Sequence, residues 1–208
     1  MRSLLLSAAL IIASLPHPAS AALAPSPEAA RPLAVGTAAP DVAVKTVDGA
    51  AFPLATAFAE KPTVLIFYRG SWCPYCNRHL AALAELEPQL LALGFQVLAI
   101  SPDTPAGLRQ AATKNQLNYR LLSDRAMVAS PAFGVAFRVD AGTEKTYRGH
   151  GIELAPVPGG EGTWLPVPAV FIVDRARTIR FVHSQPDYKV RLSAPDLLAA
   201  ARAVAGKN

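Results

Sequence analysis

A continuous apolar run, Thr63-Val-Leu-Ile-Phe-Tyr68, has strand length and is rich in β-branched and aromatic residues. It predicts a central strand buried on both faces. Leu80, Leu83, Leu86 and Leu90 then recur at helical spacing and predict a helix from about Pro74 to Leu93, closed by Gly94. Pro88 is expected to kink or interrupt it. Phe95 to Ser101 reads as the next strand, Pro105 to Asn115 as helix, Tyr119 to Leu122 as a short strand, and Ala126 to Phe133 as a helix before Gly134. Upstream, Val42 to Val47 alternates and Asp48-Gly49 is a hairpin turn signal. Arg138 to Val167 shows no period and reads as irregular. Ala169 to Asp174 and Thr178 to His183 read as a hairpin. A last helix is expected from about Ala194 to Ala205, with Ser193 as N-cap and Asp196 completing a near capping box. Strands alternating with helices imply a parallel sheet with helices on its faces.

The start of the chain has a different texture. Met1-Arg2 is followed by an apolar run from Leu4 to Leu15, prolines at 16 and 18, and Ala19-Ser20-Ala21. That order predicts a secretory leader, residues 1–21, cleaved after Ala21. The run is short of the roughly 20 residues that a spanning helix needs, so no stable membrane insertion is expected. The stretch 22–34 is rich in Pro and Ala and reads as a tether, leaving 35–208 as one domain. Export implies an oxidising place, read here as periplasmic or secreted.

Composition narrows the classes. Hydrophobic residues at 51% and charged residues at 17% exclude a disordered chain. The formal charge of +5 is scattered, with no basic run of the nucleic-acid-binding kind, so no nucleic-acid partner is expected. Two cysteines exclude a disulfide-stapled scaffold.

Those two cysteines carry the candidate chemistry. Cys73-Pro74-Tyr75-Cys76 follows the strongest strand and heads a helix. With Cys73 as N-cap, Pro74 falls where its missing N–H costs nothing. The free N–H groups of the first turn and the helix dipole then favour a Cys73 thiolate. Arg69 and Arg78 are near in sequence and add positive field. Cys76 shares the face of Leu80 and is expected to be shielded, with Cys73 at the exposed tip. Cys73 would attack and Cys76 would resolve the mixed disulfide. Half a zinc site is an alternative, but it needs two further ligands from His79, His150 and His183. A purely structural disulfide is another, though its loop is too small to stabilise much. His183 reads as a packing or surface histidine, and Asp187, Tyr188 and Arg191 as polar loop residues. Pro168, before the Ala169 strand, reads as a strand-start proline.

Phe67-Tyr-Arg-Gly-Ser-Trp-Cys-Pro-Tyr-Cys76 with Leu165-Pro-Val-Pro-Ala-Val-Phe-Ile-Val-Asp174 resembles the thioredoxin superfamily. More narrowly, it resembles the redoxin branch, the AhpC/TSA or peroxiredoxin-like group. Val35-Gly36 with Ala39-Pro40-Asp41, Ile100-Ser101-Pro102-Asp103, Leu121-Leu-Ser-Asp124 and Phe133-Gly134-Val135 fit the same group. The resemblance implies an α/β thioredoxin-like fold with a central mixed β-sheet flanked by helices. It implies that Pro168 is a cis-proline facing the dithiol, that Val167 offers backbone groups to a bound polypeptide, and that Trp72 flanks the cysteines. Counting from Phe67, the family's Pro position holds Arg69, its Thr position Cys73, and its attacking-Cys position Cys76. Its peroxide-orienting Arg position holds Pro168. Thioredoxin's buried Asp before the strand Phe is Ile66 here.

The sequence therefore supports an exported thiol–disulfide oxidoreductase, with Cys73 and Cys76 catalytic and Trp72, Arg69, Val167 and Pro168 at the substrate site. A thiol-dependent peroxidase on the same cysteines is the second reading, and a soft-metal-binding module the third. No metal or organic cofactor is needed for the first two. The partners implied are a protein disulfide or a peroxide, and a thiol reductant or oxidant protein that resets the dithiol.

Overall fold

β3 (Thr63–Phe67) is buried at every position and lies in the middle of the sheet. In a computed structural model that describes residues 23–206 apart from 116, seven strands run in the order β10 (Ile179–Ser184), β9 (Ala169–Val173), β3, β4 (Gln96–Ser101), β5 (Arg120–Ser123), β1 (Ala43–Lys45) and β2 (Ala51–Pro53). The first strands, β1 (Ala43–Lys45) and β2 (Ala51–Pro53), form the hairpin expected at Asp48-Gly49, with Val44 opposite Phe52. Helix α1 (Leu54–Glu60) leads into β3. Helix α2 (Pro74–Ala92) then crosses to β4 (Gln96–Ser101), which pairs parallel with β3. Helix α3 (Pro105–Asn115) crosses to β5 (Arg120–Ser123), also parallel. β9 (Ala169–Val173) returns antiparallel on the other side of β3, and β10 (Ile179–Ser184) pairs with it as the expected hairpin. The sheet is therefore mixed and flanked by helices.

Side chains alternate across β3 because successive Cβ atoms point to opposite faces. Val64 and Ile66 join one core with Leu80, Leu83 and Leu90 of α2 and with Leu197 and Ala201 of the last helix, α6 (Ala194–Ala205). Leu65 and Phe67 join the other with Phe58, Phe133 and Phe171. Ser193 caps α6 as expected, its hydroxyl accepting the Asp196 N–H at 3.2 Å. α2 runs on through Pro88 without interruption.

Three expectations give way. The helix expected over Ala126 to Phe133 contracts to α4 (Ala129–Ala132). The reason is Asp124, whose carboxylate accepts the N–H groups of Val128, Ala129 and Ser130 at 2.7, 2.9 and 2.7 Å and so fixes where the helix starts. The stretch read as irregular is ordered. It holds β6 (Ala136–Arg138), α5 (Ala141–Gly149), β7 (Ala155–Pro156) and β8 (Thr163–Pro166), with a small antiparallel sheet ordered β6-β8-β7. Asp140 caps α5, accepting the Thr143 N–H at 2.9 Å.

The stretch read as a tether is docked from Leu23 onward. The Ala24 N–H donates to the Ala136 carbonyl at 3.1 Å, and the Arg138 N–H to the Ala24 carbonyl at 2.8 Å. Leu23 packs on the Trp164 cluster and Leu33 on the Phe133 side of the core, which is what holds a Pro/Ala-rich chain in place. A short 3-10 turn, Pro27–Ala29, lies between them. The expected leader lies outside the described residues.

Candidate active site

The loop between β3 and α2 is pinned before it reaches the cysteines. The Tyr68 N–H still donates to Ile100. The Ser71 N–H donates to the Asp103 carboxylate at 2.8 Å, and Ser101 Oγ holds that same carboxylate at 3.0 Å. Asn77 reaches back from α2 to the Ser71 carbonyl at 2.8 Å. Gly70 sits at φ +150°, and a Cβ there would lie 2.4 Å from the Trp72 indole nitrogen, so the indole lies directly over this glycine. Cys73 is the N-cap with extended φ/ψ, Pro74 opens the helix, and the Asn77 N–H closes the first turn on the Cys73 carbonyl at 3.0 Å. This is the local geometry that the Cys-Pro-Tyr-Cys pattern predicts.

Both cysteines are free thiols. Their exposure overturns one expectation: Cys73 is not at an open tip, because it and Cys76 are each only 1% exposed. A lid of cation and rings lies beside it. The Arg69 guanidinium has Nη1 3.9 Å from the Cys73 sulfur and donates from Nη2 to the Tyr147 hydroxyl. It also sits 5.0 Å from the Trp72 ring centre, 5.4 Å from Tyr147 and 4.0 Å from Tyr188. Such contacts suit a planar, weakly hydrated cation.

The two thiols are electrically distinct. The Cys73 thiol is lowered to about 6, first because Cys76 donates its S–H to it, then through the Cys76 backbone N–H and the charges of Arg69 and Arg191, all against burial. Cys76 is pushed up, because it supplies that S–H and is buried beside a negative sulfur. The result is a Cys73 thiolate next to a protonated Cys76.

Arg191, read from sequence as a loop residue, reaches the site: its Nη2 lies 3.4 Å from the Cys76 sulfur. A cavity of about 10 Å³ below it is lined by Phe67, His79, Pro168, His183 and Arg191 among others. Burial and the Arg191 charge hold the His79 imidazole down to about 4, so it is neutral near pH 7. Burial also lowers His183. His183, read as a packing or surface residue, lines this cavity with His79 and Arg191. Among the described residues no three His, Cys, Asp or Glu side chains converge as a metal set would require.

Two expectations at the downstream strand fail. The Val167–Pro168 peptide is trans, since the described chain contains no cis bond. Val167 is 1% exposed, and its N–H is committed to the Val135 carbonyl at 2.8 Å. The small sheet of the ordered insertion occupies the edge that a bound polypeptide would have used. Pro168 nonetheless lies at the site, lining both the small cavity and a larger one of about 300 Å³ next to Arg69. Trp72 packs with the core cluster that contains both cysteines and lies 5.2 Å from Tyr147, ring centre to ring centre.

Tyr147, Tyr188 and Arg191 are the site residues that sequence reasoning missed. Asp140 followed by Thr143 and Glu144 is a cap signal that would have revealed α5 and hence an ordered Tyr147. Nothing local marks Tyr188 or Arg191.

A thioredoxin-like mixed sheet with a dithiol at the head of the helix after its central strand defines a thiol redox protein. Comparison with known proteins narrows this: the chain belongs to the AhpC/TSA family, whose model matches residues 35–182. It is 34% identical over 104 residues to peroxiredoxin Bcp of Escherichia coli, a match covering 50% of this chain and 66% of that protein. It is 32% identical over 100 residues to chloroplastic peroxiredoxin Q of Gentiana triflora, covering 48% and 46% of the two chains. The chain therefore spans less than two thirds of these relatives' length. Among solved structures, peroxidoxin BcpB of Mycobacterium tuberculosis superposes with a TM-score of 0.63 at 22% identity, over 82% of this chain and 97% of that one. Reduced Prx3 of Vibrio vulnificus in complex with hydrogen peroxide gives 0.67 at 19% identity, over 81% and 99%. Both share the fold.

Proposed function

We propose that this protein is a thiol-dependent peroxidase that cycles through the Cys73–Cys76 dithiol. The observation that carries the reading is the Cys73 sulfur itself, at the N-cap of α2 with Arg69 Nη1 at 3.9 Å, where the thiol is lowered to about 6. A thiolate is the attacking species, and here it is populated near neutral pH. Cys73 S⁻ attacks the terminal oxygen of ROOH, the O–O bond breaks, and RO⁻ leaves and takes a proton from solvent. Cys73 is then a sulfenic acid. The Cys76 sulfur attacks it, the S–O bond breaks, and the hydroxyl leaves with the Cys76 proton as water. Dithiol and peroxide give disulfide, alcohol and water.

Peroxiredoxin relatives support peroxidase chemistry at this dithiol, but the resemblance places their attacking cysteine at Cys76 and their Pro, Thr and Arg at Arg69, Cys73 and Pro168. The attack is assigned to Cys73 here because it is the thiol that is lowered, while Cys76 is pushed up. In their place two guanidinium groups, Arg69 and Arg191, supply hydrogen-bond donors at the sulfurs. The test is stopped-flow oxidation of the reduced protein by hydrogen peroxide, followed by tryptophan fluorescence. A rate orders of magnitude above that of a free thiol supports the peroxidase. A rate like that of an exposed cysteine overturns it in favour of exchange with disulfides, the chemistry to which an N-cap dithiol is equally suited.

We further read residues 1–21 as an export leader, so that the dithiol works outside the cytoplasm. The mass of the mature chain in a periplasmic extract tests this: an N-terminus at Ala22 agrees, and retention of Met1 in the cytosol overturns it.

A further inference from the structure

Arg69 is a buried cation without a carboxylate. It is 5% exposed, and among the described residues no Asp or Glu oxygen lies within ion-pair distance of its guanidinium. Its neighbours are three ring faces, the Tyr147 hydroxyl and the Cys73 sulfur. A buried charge needs an opposite charge or it destabilises the fold strongly. In the dithiol that opposite charge is the Cys73 thiolate. Closing the Cys73–Cys76 disulfide removes it and leaves the guanidinium buried and unpaired.

The same guanidinium lines the cavity of about 300 Å³. Pro25 and Pro27 of the docked N-terminal stretch form one wall, Leu165 and Tyr147 of the insertion another, and Tyr188 a third. Arg138 also lines it, with Nη1 donating to the Glu161 carbonyl, and the one acidic residue on the wall, Asp140, has its carboxylate committed to the cap of α5. The volume is at the small-ligand end of the range for binding pockets, roughly 300–1,000 Å³.

We propose that this cavity is a redox-linked anion site, which takes a small carboxylate-bearing thiol, the reductant that resets the protein, when the disulfide is closed. The proposal rests on the reading of Cys73 and Cys76 as a cycling dithiol. A protein reductant fits less well. The backbone of Val167 is already paired, and the sulfurs lie behind Arg69 rather than on an open face. A carboxylate in the cavity replaces the lost thiolate as the counter-charge of Arg69 and draws the guanidinium away from the sulfur it covers.

The chemistry balances. The ligand thiolate attacks Cys73, the S–S bond breaks, and Cys76 leaves as a thiolate beside Arg191 and takes up a proton. A second ligand thiolate attacks the ligand sulfur of the mixed disulfide, and Cys73 leaves as the thiolate that pairs again with Arg69. Two ligand thiols have lost two electrons and become one disulfide. One of their protons is on Cys76 and the other in solvent. Linkage requires reciprocity: what binds the disulfide form better must also favour that form.

The test uses S-methylglutathione, which keeps the carboxylates and has no free thiol. It is titrated calorimetrically into the full chain in two states, reduced and closed with diamide, the closure verified by thiol titration. The expected result is at least tenfold tighter binding to the disulfide form. The diethyl ester should lose that preference, and so should Arg69→Met. The comparison of redox states needs no variant, so a misfolded Arg69→Met leaves it standing. Equal affinity in both states, no binding to either, or an ester that binds as well as the acid overturns the site. A chain whose thiols do not close under diamide overturns the dithiol reading itself.

Discussion

Arg191 holds its Nη2 3.4 Å from the sulfur of Cys76, across 115 positions of sequence. Cys76 is the thiol that is harder to ionise, and the proposed cycle requires it to act as the nucleophile of its second half. A guanidinium on its sulfur stabilises the thiolate at the moment it is needed. Hydrogen bonds to charged groups contribute about 1.5–3 kcal/mol. Arg191→Met is therefore expected to slow disulfide closure about 10- to 100-fold at pH 7. Sulfenic acid on Cys73 should accumulate and be trapped by dimedone, and Arg191→Lys should restore part of the rate. An unchanged closure rate would detach Arg191 from the chemistry.

The lowered Cys73 thiol sets the pH profile of the first half. Peroxide reactivity should rise with pH through about 6 and level off above it. Continued increase between pH 7 and 9, as an ordinary thiol shows, would contradict a preformed thiolate.

The same shift acts on stability, and its sign is fixed. Between about 6 and the ordinary thiol value of 9.0, the native chain carries a Cys73 thiolate while the unfolded chain holds the proton. The unfolded state binds more protons, so stability rises with pH across that window and is lost as pH falls through about 6. His79 acts in the same direction lower down, because burial keeps it neutral until about 4 whereas the unfolded imidazole protonates near 6.5. Urea unfolding of the reduced protein at pH 5 and pH 8 should show the loss at pH 5. Cys73→Ser should flatten the part between pH 6 and 9, and a slope that survives in that variant would assign it to another group.

Tyr147→Phe removes the hydroxyl that accepts from Arg69 Nη2. The ring stays, so packing against Trp72 is kept. With the guanidinium less fixed, the Cys73 thiol should titrate higher, read from thiolate absorbance at 240 nm. The peroxide rate at pH 6 should fall a few-fold while the rate at pH 9 changes little. Equal loss at both pH values would indicate a structural role instead.

Gly134→Ala tests how the N-terminal stretch is held. Gly134 sits at φ +72°, and an added Cβ would come within 1.9 Å of the Arg31 carbonyl oxygen. Left-handed backbone costs alanine about 1–2 kcal/mol before that clash is counted. Tm should drop by about 4 °C or more, and limited proteolysis upstream of Val35 should accelerate. Gly149→Ala, with nothing near the added atom and no positive φ, should do neither.

The parts of the site legible in the sequence are those that local spacing fixes. The helix N-cap at Cys73, Pro74 at the first position and the leucine stripe behind Cys76 follow from chain geometry over a few residues. The strand–helix order followed from the same periodicities. What could not be read is what covers the cysteines. Cys73 looks exposed when only its own helix is considered, and becomes buried because Tyr147 and Tyr188 arrive from far along the chain. Arg191 carries no periodic or motif signal, since its role arises only when α6 packs on α2. Pro168 lines the cavities that Arg69 and Arg191 reach, with a trans bond where the resemblance implied a cis one. Val167 was assigned a free backbone that the small sheet had already taken.

Pro25 and Pro27 wall the large cavity, while Tyr188 lies on the Arg69 guanidinium and Arg191 on the Cys76 sulfur, and this placement bears on how the protein is delimited. Both pairs fall outside the span 35–182 that aligns with the family. A gene fragment trimmed to that span would retain both cysteines and Arg69, yet lose two walls of the chamber and the guanidinium on Cys76. The span that matches the family and the span that builds the candidate site are different lengths of polypeptide here, and whatever individual character this protein has is written in its margins.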